Sequence, residues 1–303
     1  MADAVSVSIV LGSGGARGYA HIGVLEWLRE RGYVVRSIAG SSMGALIGGI
    51  YATGKLDLYT QWVLALERMD VLRLLDPSFG RGGFIKGDRI MGVLRDLIGD
   101  CRIEDLPVSY TAVATDLDTG KEVWLREGKL FDAIRASIAI PLVFMPAIRD
   151  GRRLLDGAVV NPIPIAPTLN DTTDLTIAVD LCARAAAEMT PSVAAPPAPS
   201  DGYGARIHRF VESIFPGNDV PATPSLGASE VMFAAMEAMQ TTIARLKMAA
   251  YSPDITIEVP RNACAYYEFW RAKEMIALGR ACTEHAFARR AGNASRNEQP
   301  AVQ

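Results

Sequence analysis

The chain has 303 residues, half of them apolar, a net charge of −3 with both signs mixed along its length, and four scattered cysteines. That length suits one large domain or two ordinary ones, and the mixed charge lacks the basic block that a nucleic-acid binder carries. Cys101, Cys182, Cys264 and Cys282 show no Cys-x-x-Cys spacing, which argues against disulfides or a zinc site and for reduced thiols in a cytoplasmic protein.

Met1-Ala2-Asp3-Ala4 places no positive charge ahead of the first apolar run, so a secretory signal is not expected. The apolar stretches Met43–Ala52 and Ile138–Ile148 fall short of the roughly 20 residues that span a bilayer. Contact with a membrane surface stays open.

Val5–Leu11 reads as a buried strand. Gly12-Ser13-Gly14-Gly15-Ala16-Arg17-Gly18 follows, then a helical pattern over Tyr19–Arg31 with Ile22, Leu25, Trp27 and Leu28 at helical spacing. A Gly-rich loop between strand and helix presents backbone N–H groups to negative charge. Gly12 and Gly14 fit a dinucleotide fingerprint, but Arg17 stands where its last glycine belongs, and no Gly-Lys-Ser/Thr of a P-loop is present. Two readings remain: an oxyanion hole with donors at Gly14, Gly15 and Ala16, or a turn needed only for close packing. Arg17 fits either a loop element or a surface ion pair.

A second strand, Val34–Ala39, leads into Gly40-Ser41-Ser42-Met43-Gly44 and a helix over Ala45–Tyr51. Gly-x-Ser-x-Gly at a strand-to-helix turn predicts a nucleophile elbow with Ser42 at its apex, beside the positive end of the next helix. By itself the pentapeptide reads equally well as a Gly/Ser turn. Helices are expected at Leu56–Arg68 and Asp88–Ile98. Between them, 69–87 reads as a loop-rich cover, either a lid or lipid-facing lip (Leu72, Leu74, Leu75, Phe79, Phe84, Ile85) or an ordinary packed excursion.

Tyr110–Thr115 and Glu122–Leu125 predict a hairpin. Asp116 and Asp118 between them form a carboxylate pair, although a turn is the commoner reason for Asp there. A short helix is expected at Phe131–Ser137. Arg149-Asp150-Gly151-Arg152 signals a hairpin turn, followed by Leu154-Leu155-Asp156-Gly157-Ala158, and Leu175–Leu181 is a further strand. Ala183–Gly204 is Ala/Pro/Ser-rich and reads as a mobile insertion, and Ile207–Phe215 as a short amphipathic segment. Ala228–Met248 predicts a helix whose Met232, Met236, Met239, Ile243 and Leu246 face a core by default. Ile255–Val259 is a strand, Tyr266–Arg289 a last helix, and 291–303 a frayed tail. Alternating strands and helices predict a three-layer α/β sandwich on a largely parallel sheet, with 1–290 as one domain around the insertion at 183–204.

A serine nucleophile needs a base. The histidines are His21, His208 and His285. Ser42, Asp156 and His285 follow the chain order of an α/β-hydrolase triad, but only two strands precede Ser42, fewer than that family places before its elbow. Together, Gly14-Gly15-Ala16-Arg17-Gly18, Gly40-Ser41-Ser42-Met43-Gly44 and Asp156-Gly157-Ala158 resemble the three signatures of the patatin-like phospholipases. Ala114-Thr115-Asp116-Leu117-Asp118-Thr119-Gly120 and Arg135-Ala136-Ser137-Ile138-Ala139-Ile140-Pro141 resemble the bacterial branch related to neuropathy target esterase. The resemblance runs from about residue 5 to 182, with Asp156-Gly157-Ala158 where many members have Asp-Gly-Gly.

The resemblance implies a patatin-like fold and a serine lipid-acyl hydrolase. Ser42 would be its nucleophile and Asp156 its base, in a dyad, with the N–H groups of Gly14, Gly15 and Ala16 holding the oxyanion. Gly12, Arg17, Gly18, Gly40, Gly44 and Gly157 support the motifs. It implies a lipid or ester substrate, no metal and no cofactor. Acyl transfer to an acceptor other than water, and a phosphate- or nucleotide-binding regulator using the Gly-rich loop, are the alternatives. Peripheral membrane contact and homo-oligomerisation through the C-terminal helices are further expectations.

Overall fold

The computed structural model describes residues 4–74, 85–184 and 228–297. Strand β1 (Ser6–Leu11) lies at the centre of the sheet and pairs in parallel with β2 (Val34–Ser41) on one side and β7 (Leu175–Ala183) on the other. β2 pairs in parallel with β3 (Ser109–Asp116), and β7 with β8 (Ile255–Pro260). The other end of the sheet turns antiparallel, where β4 (Glu122–Leu125) and β6 (Arg152–Asp156) pair with β3, and β5 (Ala147–Arg149) pairs with β6. Among the described residues the hydrogen-bonded path is β5-β6-β3-β2-β1-β7-β8, with β6 and β2 following each other along one edge of β3 and β4 on its other edge.

Side chains alternate across these buried strands, so neighbours serve different faces. Ile9, Leu11, Ile177 and Val179 join the large core, which takes in helices α1 (Ala20–Glu30), α2 (Met43–Ala52), α5 (Asp88–Ile98) and α6 (Leu130–Ser137). Val10 and Ala178 point to the opposite face, where Ile163, Ile165 and Ala244 of α7 (Ala228–Tyr251) cover them. This is the expected three-layer α/β sandwich with a largely parallel centre. β8 enters the same sheet although it follows residues 185–227 in the chain, and α8 (Ala272–Asn297) packs on α1.

Several expectations change in detail. Helix α3 (Leu56–Leu64) ends before Arg68, and α4 (Arg68–Leu74) occupies the start of the cover read as loop. Ile85, read as either lipid-facing or packed, is 1 % exposed and packs with Val143. The last helix begins at Ala272, because Phe269–Arg271 first form a 3-10 turn that leaves Tyr266 in a loop, and it continues to Asn297 through residues expected to fray. The methionine stripe of α7 is largely at the surface: Met232 and Met239 are half exposed and Leu246 more so. The face turned to the sheet is instead the one that carries Ala244 and the partly buried Met248 and Tyr251. Leu75, Phe79, Phe84, His208, the 207–215 segment and nearly all of the 183–204 insertion lie outside the described residues.

Candidate active site

The elbow at Ser42 is built as its sequence requires. Ser42 has φ 56 and ψ −123, a left-handed backbone for a residue with a side chain, strained by roughly 1–3 kcal/mol. Both flanking glycines are needed for space. A Cβ at Gly44 would run into the Leu11 carbonyl, and one at Gly40 would lie 2.5 Å from the Ala45 nitrogen. Gly18 lets the preceding loop rest on the Met43 side chain. The Ser42 N–H donates to Ser137 Oγ at 3.0 Å, and Ser137 passes the bond to the Val113 carbonyl at 2.6 Å. Ser137 therefore ties the turn to β3. Nothing in the sequence marks this role, because a serine ending a helix has no distinctive pattern.

Asp156 reaches the elbow through strand pairing. β4 pairs with β3 along Ala112–Thr115, so β2 and β6 must both use the other edge of β3. β2 runs up that edge until Ser41 stands opposite Val113. β6 runs down it until Asp156 stands opposite Ala114. The two strands meet end to end, and Gly157 makes the meeting possible: a Cβ there would lie 2.6 Å from Ser41 Oγ and collide with the Val113 carbonyl. Ala158, which departs from the family's usual glycine, sits in a 3-10 turn and is not among the residues with positive φ, so it brings no strain.

Asp156 is 2 % exposed and Ser42 1 %. Asp156 Oδ1 accepts the Ala158 N–H at 2.8 Å, which fixes the carboxylate, while Oδ2 has no hydrogen bond. Ser42 Oγ is likewise buried without a formed hydrogen bond, yet its hydroxyl is near enough to favour the ionised Asp156. Burial is the larger effect and pushes the Asp156 carboxyl from 3.8 up to about 7, against the pull of Ser42 and the Ala158 N–H. Ser42 also lines a cavity of about 130 Å³, whose walls are almost wholly apolar and include Trp62, Met91, Leu94 and Phe144.

The Gly-rich loop packs tightly against its neighbours. The Gly12 N–H donates to Val179 and the Ser13 N–H to Pro162, at 3.1 and 2.8 Å. A Cβ at Gly12 would lie 2.7 Å from the Val179 carbonyl, and one at Gly14 the same distance from Leu181 Cβ. Gly15 adopts φ 57, which turns the next N–H toward the C-terminal region, and Ala16 donates to the Tyr266 carbonyl at 2.9 Å. Gly14 and Gly15 make no comparable backbone bond among the described residues. Arg17 is no surface residue. It is 2 % exposed, donates to the Gly14 carbonyl at 3.2 Å, and pairs with Glu237 of α7 at 3.0 Å and with the Arg261 carbonyl.

The other candidates are drawn elsewhere. His21 is fully buried and donates from Nε2 to the Gly12 carbonyl at 2.8 Å, and burial lowers its pKa to about 4. It braces the loop as a neutral imidazole. His285 is exposed on α8, so the α/β-hydrolase triad does not assemble. Asp116 accepts the N–H groups of Asp118 and Thr119, and Asp118 pairs with Arg153, so these carboxylates shape a turn. Among the described residues no cluster of three or more His, Cys, Asp or Glu could hold a metal, and no helix is long and apolar enough to cross a membrane.

The family model for patatin-like phospholipase matches residues 9–169, which include Ser42, Asp156 and the Gly-rich loop. NTE family proteins of Mycobacterium tuberculosis and Mycobacterium bovis are 40 % identical over 92 % of this chain and 91 % of their own. A patatin-like phospholipase domain-containing protein of Caenorhabditis elegans is 38 % identical over 52 % of this chain and 12 % of its own length. Neuropathy target esterase of Drosophila sechellia is 34 % identical over 52 % of this chain and 11 % of its own. With the family model matching more than half its length, the chain belongs to the patatin-like phospholipase family.

Proposed function

We propose that the protein hydrolyses a carboxyl ester of a lipid through a Ser42–Asp156 dyad and an acyl-enzyme. One observation carries this reading: a buried serine hydroxyl that lines an apolar cavity lies near a buried carboxylate oxygen, neither of them hydrogen-bonded, and burial pushes that carboxyl up to about 7. A base poised near 7 is matched to its task. Asp156 Oδ2 takes the Ser42 proton as Oγ attacks the ester carbonyl. The N–H groups of Gly14 and Gly15 receive the oxyanion, each worth roughly 3–4 kcal/mol of barrier. Asp156 then returns the proton to the leaving alkoxide, and later takes one from the water that clears the acyl group. The acyl chain occupies the cavity, and this makes a phospholipid or lysophospholipid the fitting substrate class.

Access from a bilayer belongs to the same reading. Leu142 and Met145 are 42 % and 43 % exposed beside Ile140 and Phe144, which line the cavity, and Leu142 has φ 68. Liposome flotation of Leu142→Ser with Met145→Ser against the parent chain tests that contact. For the chemistry, a fluorophosphonate probe and short p-nitrophenyl esters suffice. Labelling at Ser42 in the wild type, and turnover reduced at least about a thousandfold in Ser42→Ala and Asp156→Asn, are expected. Full turnover in Ser42→Ala ends the reading. A regulator that binds phosphate in the Gly-rich loop has less support, since Arg17 faces Glu237 and backbone carbonyls.

A further inference from the structure

Residue 266 lies almost a hundred residues beyond the family-matched stretch, in the loop between β8 and α8, yet it touches the oxyanion loop at three points. Its carbonyl accepts the Ala16 N–H at 2.9 Å. Its ring lies over Gly15, where a Cβ would come 2.5 Å from Tyr266 Cδ1. The Arg17 guanidinium sits 5.8 Å from the ring centroid. The loop that carries Tyr266 is itself tied down: the Ala265 N–H donates to Glu268 at 2.7 Å, and Glu268 pairs with Arg271.

We propose that Tyr266 completes the active site, its carbonyl and ring holding Gly15 and Ala16 while its hydroxyl orients Ser42. The inference rests on the dyad reading above. Gly15, which lies under the Tyr266 ring, lines the same cavity as Ser42, and the phenol is within electrostatic reach of Ser42 and of the Asp156 charge. The contact falls short of a formed hydrogen bond, since Ser42 Oγ closes none. Burial, with the Asp156 charge second, holds the phenol protonated well above its ordinary range. A phenol that keeps its proton cannot serve as the base. It can donate to a lone pair of Ser42 Oγ, and a hydroxyl that accepts there has its own proton free to point at Asp156 Oδ2.

Tyr266→Phe keeps the carbonyl and ring and removes only the hydroxyl. The experiment compares wild type, Tyr266→Phe and Tyr266→Ala by kcat and KM on a short p-nitrophenyl ester, by the rate of fluorophosphonate labelling, and by Tm. In Tyr266→Phe, kcat and the labelling rate are expected to fall together by about tenfold, as for one hydrogen bond that closes only as Ser42 Oγ reacts, with KM and Tm little changed. Tyr266→Ala falls further and loses Tm, because Gly15 is no longer covered. Tyr266→Phe with wild-type kcat and labelling overturns the proposal, and so does a fall in Tm with unchanged labelling per folded molecule, which marks a structural ring alone. A wild type that takes no label at Ser42 removes the dyad, and this proposal with it.

Discussion

Ser41 and Asp156 stand opposite consecutive residues of β3, Val113 and Ala114, on one edge of that strand. Ser42 and Asp156 lie more than a hundred residues apart in the chain, and a single strand sets their spacing. Their juxtaposition is thus a property of sheet register, and the loops need only preserve it. This makes the site sensitive to changes at the strand ends and tolerant elsewhere.

The Asp156 carboxyl sets the pH dependence expected of the reaction. A base must be ionised to act, so kcat/KM on a soluble ester is expected to rise with an apparent pKa of about 7. A profile from pH 5 to 9 checks this. A midpoint near 4 would mean that the carboxyl is exposed to water.

Stability runs the other way. The folded-state pKa lies above the unfolded value, so the protonated carboxyl is the compatible form. The folded state is at its best below pH 4, and stability is lost as pH rises toward 7. Moving the pKa from 3.8 to about 7 corresponds to on the order of 4 kcal/mol lost once the group is ionised. Asp156→Asn is therefore expected to melt above the wild type at pH 8, with the gap closing toward pH 4. Thermal melts of both across that range check the sign.

Ser137→Ala removes the hydroxyl that links the Ser42 N–H to the Val113 carbonyl. Both backbone groups are then buried without a partner, a loss of about 1–3 kcal/mol. Lower Tm and lower kcat with intact secondary structure are expected, from melting curves and ester assay together.

His285 plays no part in the chemistry on this geometry, being exposed on α8. His285→Ala is expected to keep kcat within about twofold, as a surface change usually does. A large loss would restore the triad alternative.

Leu94 is fully buried and lines the cavity beside Ser42. Leu94→Trp fills space that the acyl chain would take. The optimum among p-nitrophenyl esters is expected to shift to shorter chains, with acetate turnover nearly kept, at about 1–3 kcal/mol in stability from overpacking.

Local chemistry made most of the elements legible. The first and second strands, the elbow and the Asp156 turn each announce themselves through glycines and apolar alternation, and the sandwich follows from their order. Contacts between distant segments were illegible. Nothing in Tyr266 or Ser137 as residues marks them, because their roles come from backbone groups that approach only after folding. Composition misled at α7, where methionines at helical spacing imply burial but Ala244, Met248 and Tyr251 are the residues that cover the sheet. Asp116 shows the opposite case: turn chemistry explained it correctly without reference to tertiary contacts.

Arg17 draws Gly14, Glu237 and the Arg261 carbonyl to one guanidinium. A fragment cut just after residue 169 would keep both the serine and the aspartate, yet would strand that cation in the interior with most of its acceptors gone. Such a truncation should fail to express in soluble form. Anyone transplanting this unit into another host protein must therefore carry the chain beyond residue 169 along as part of it.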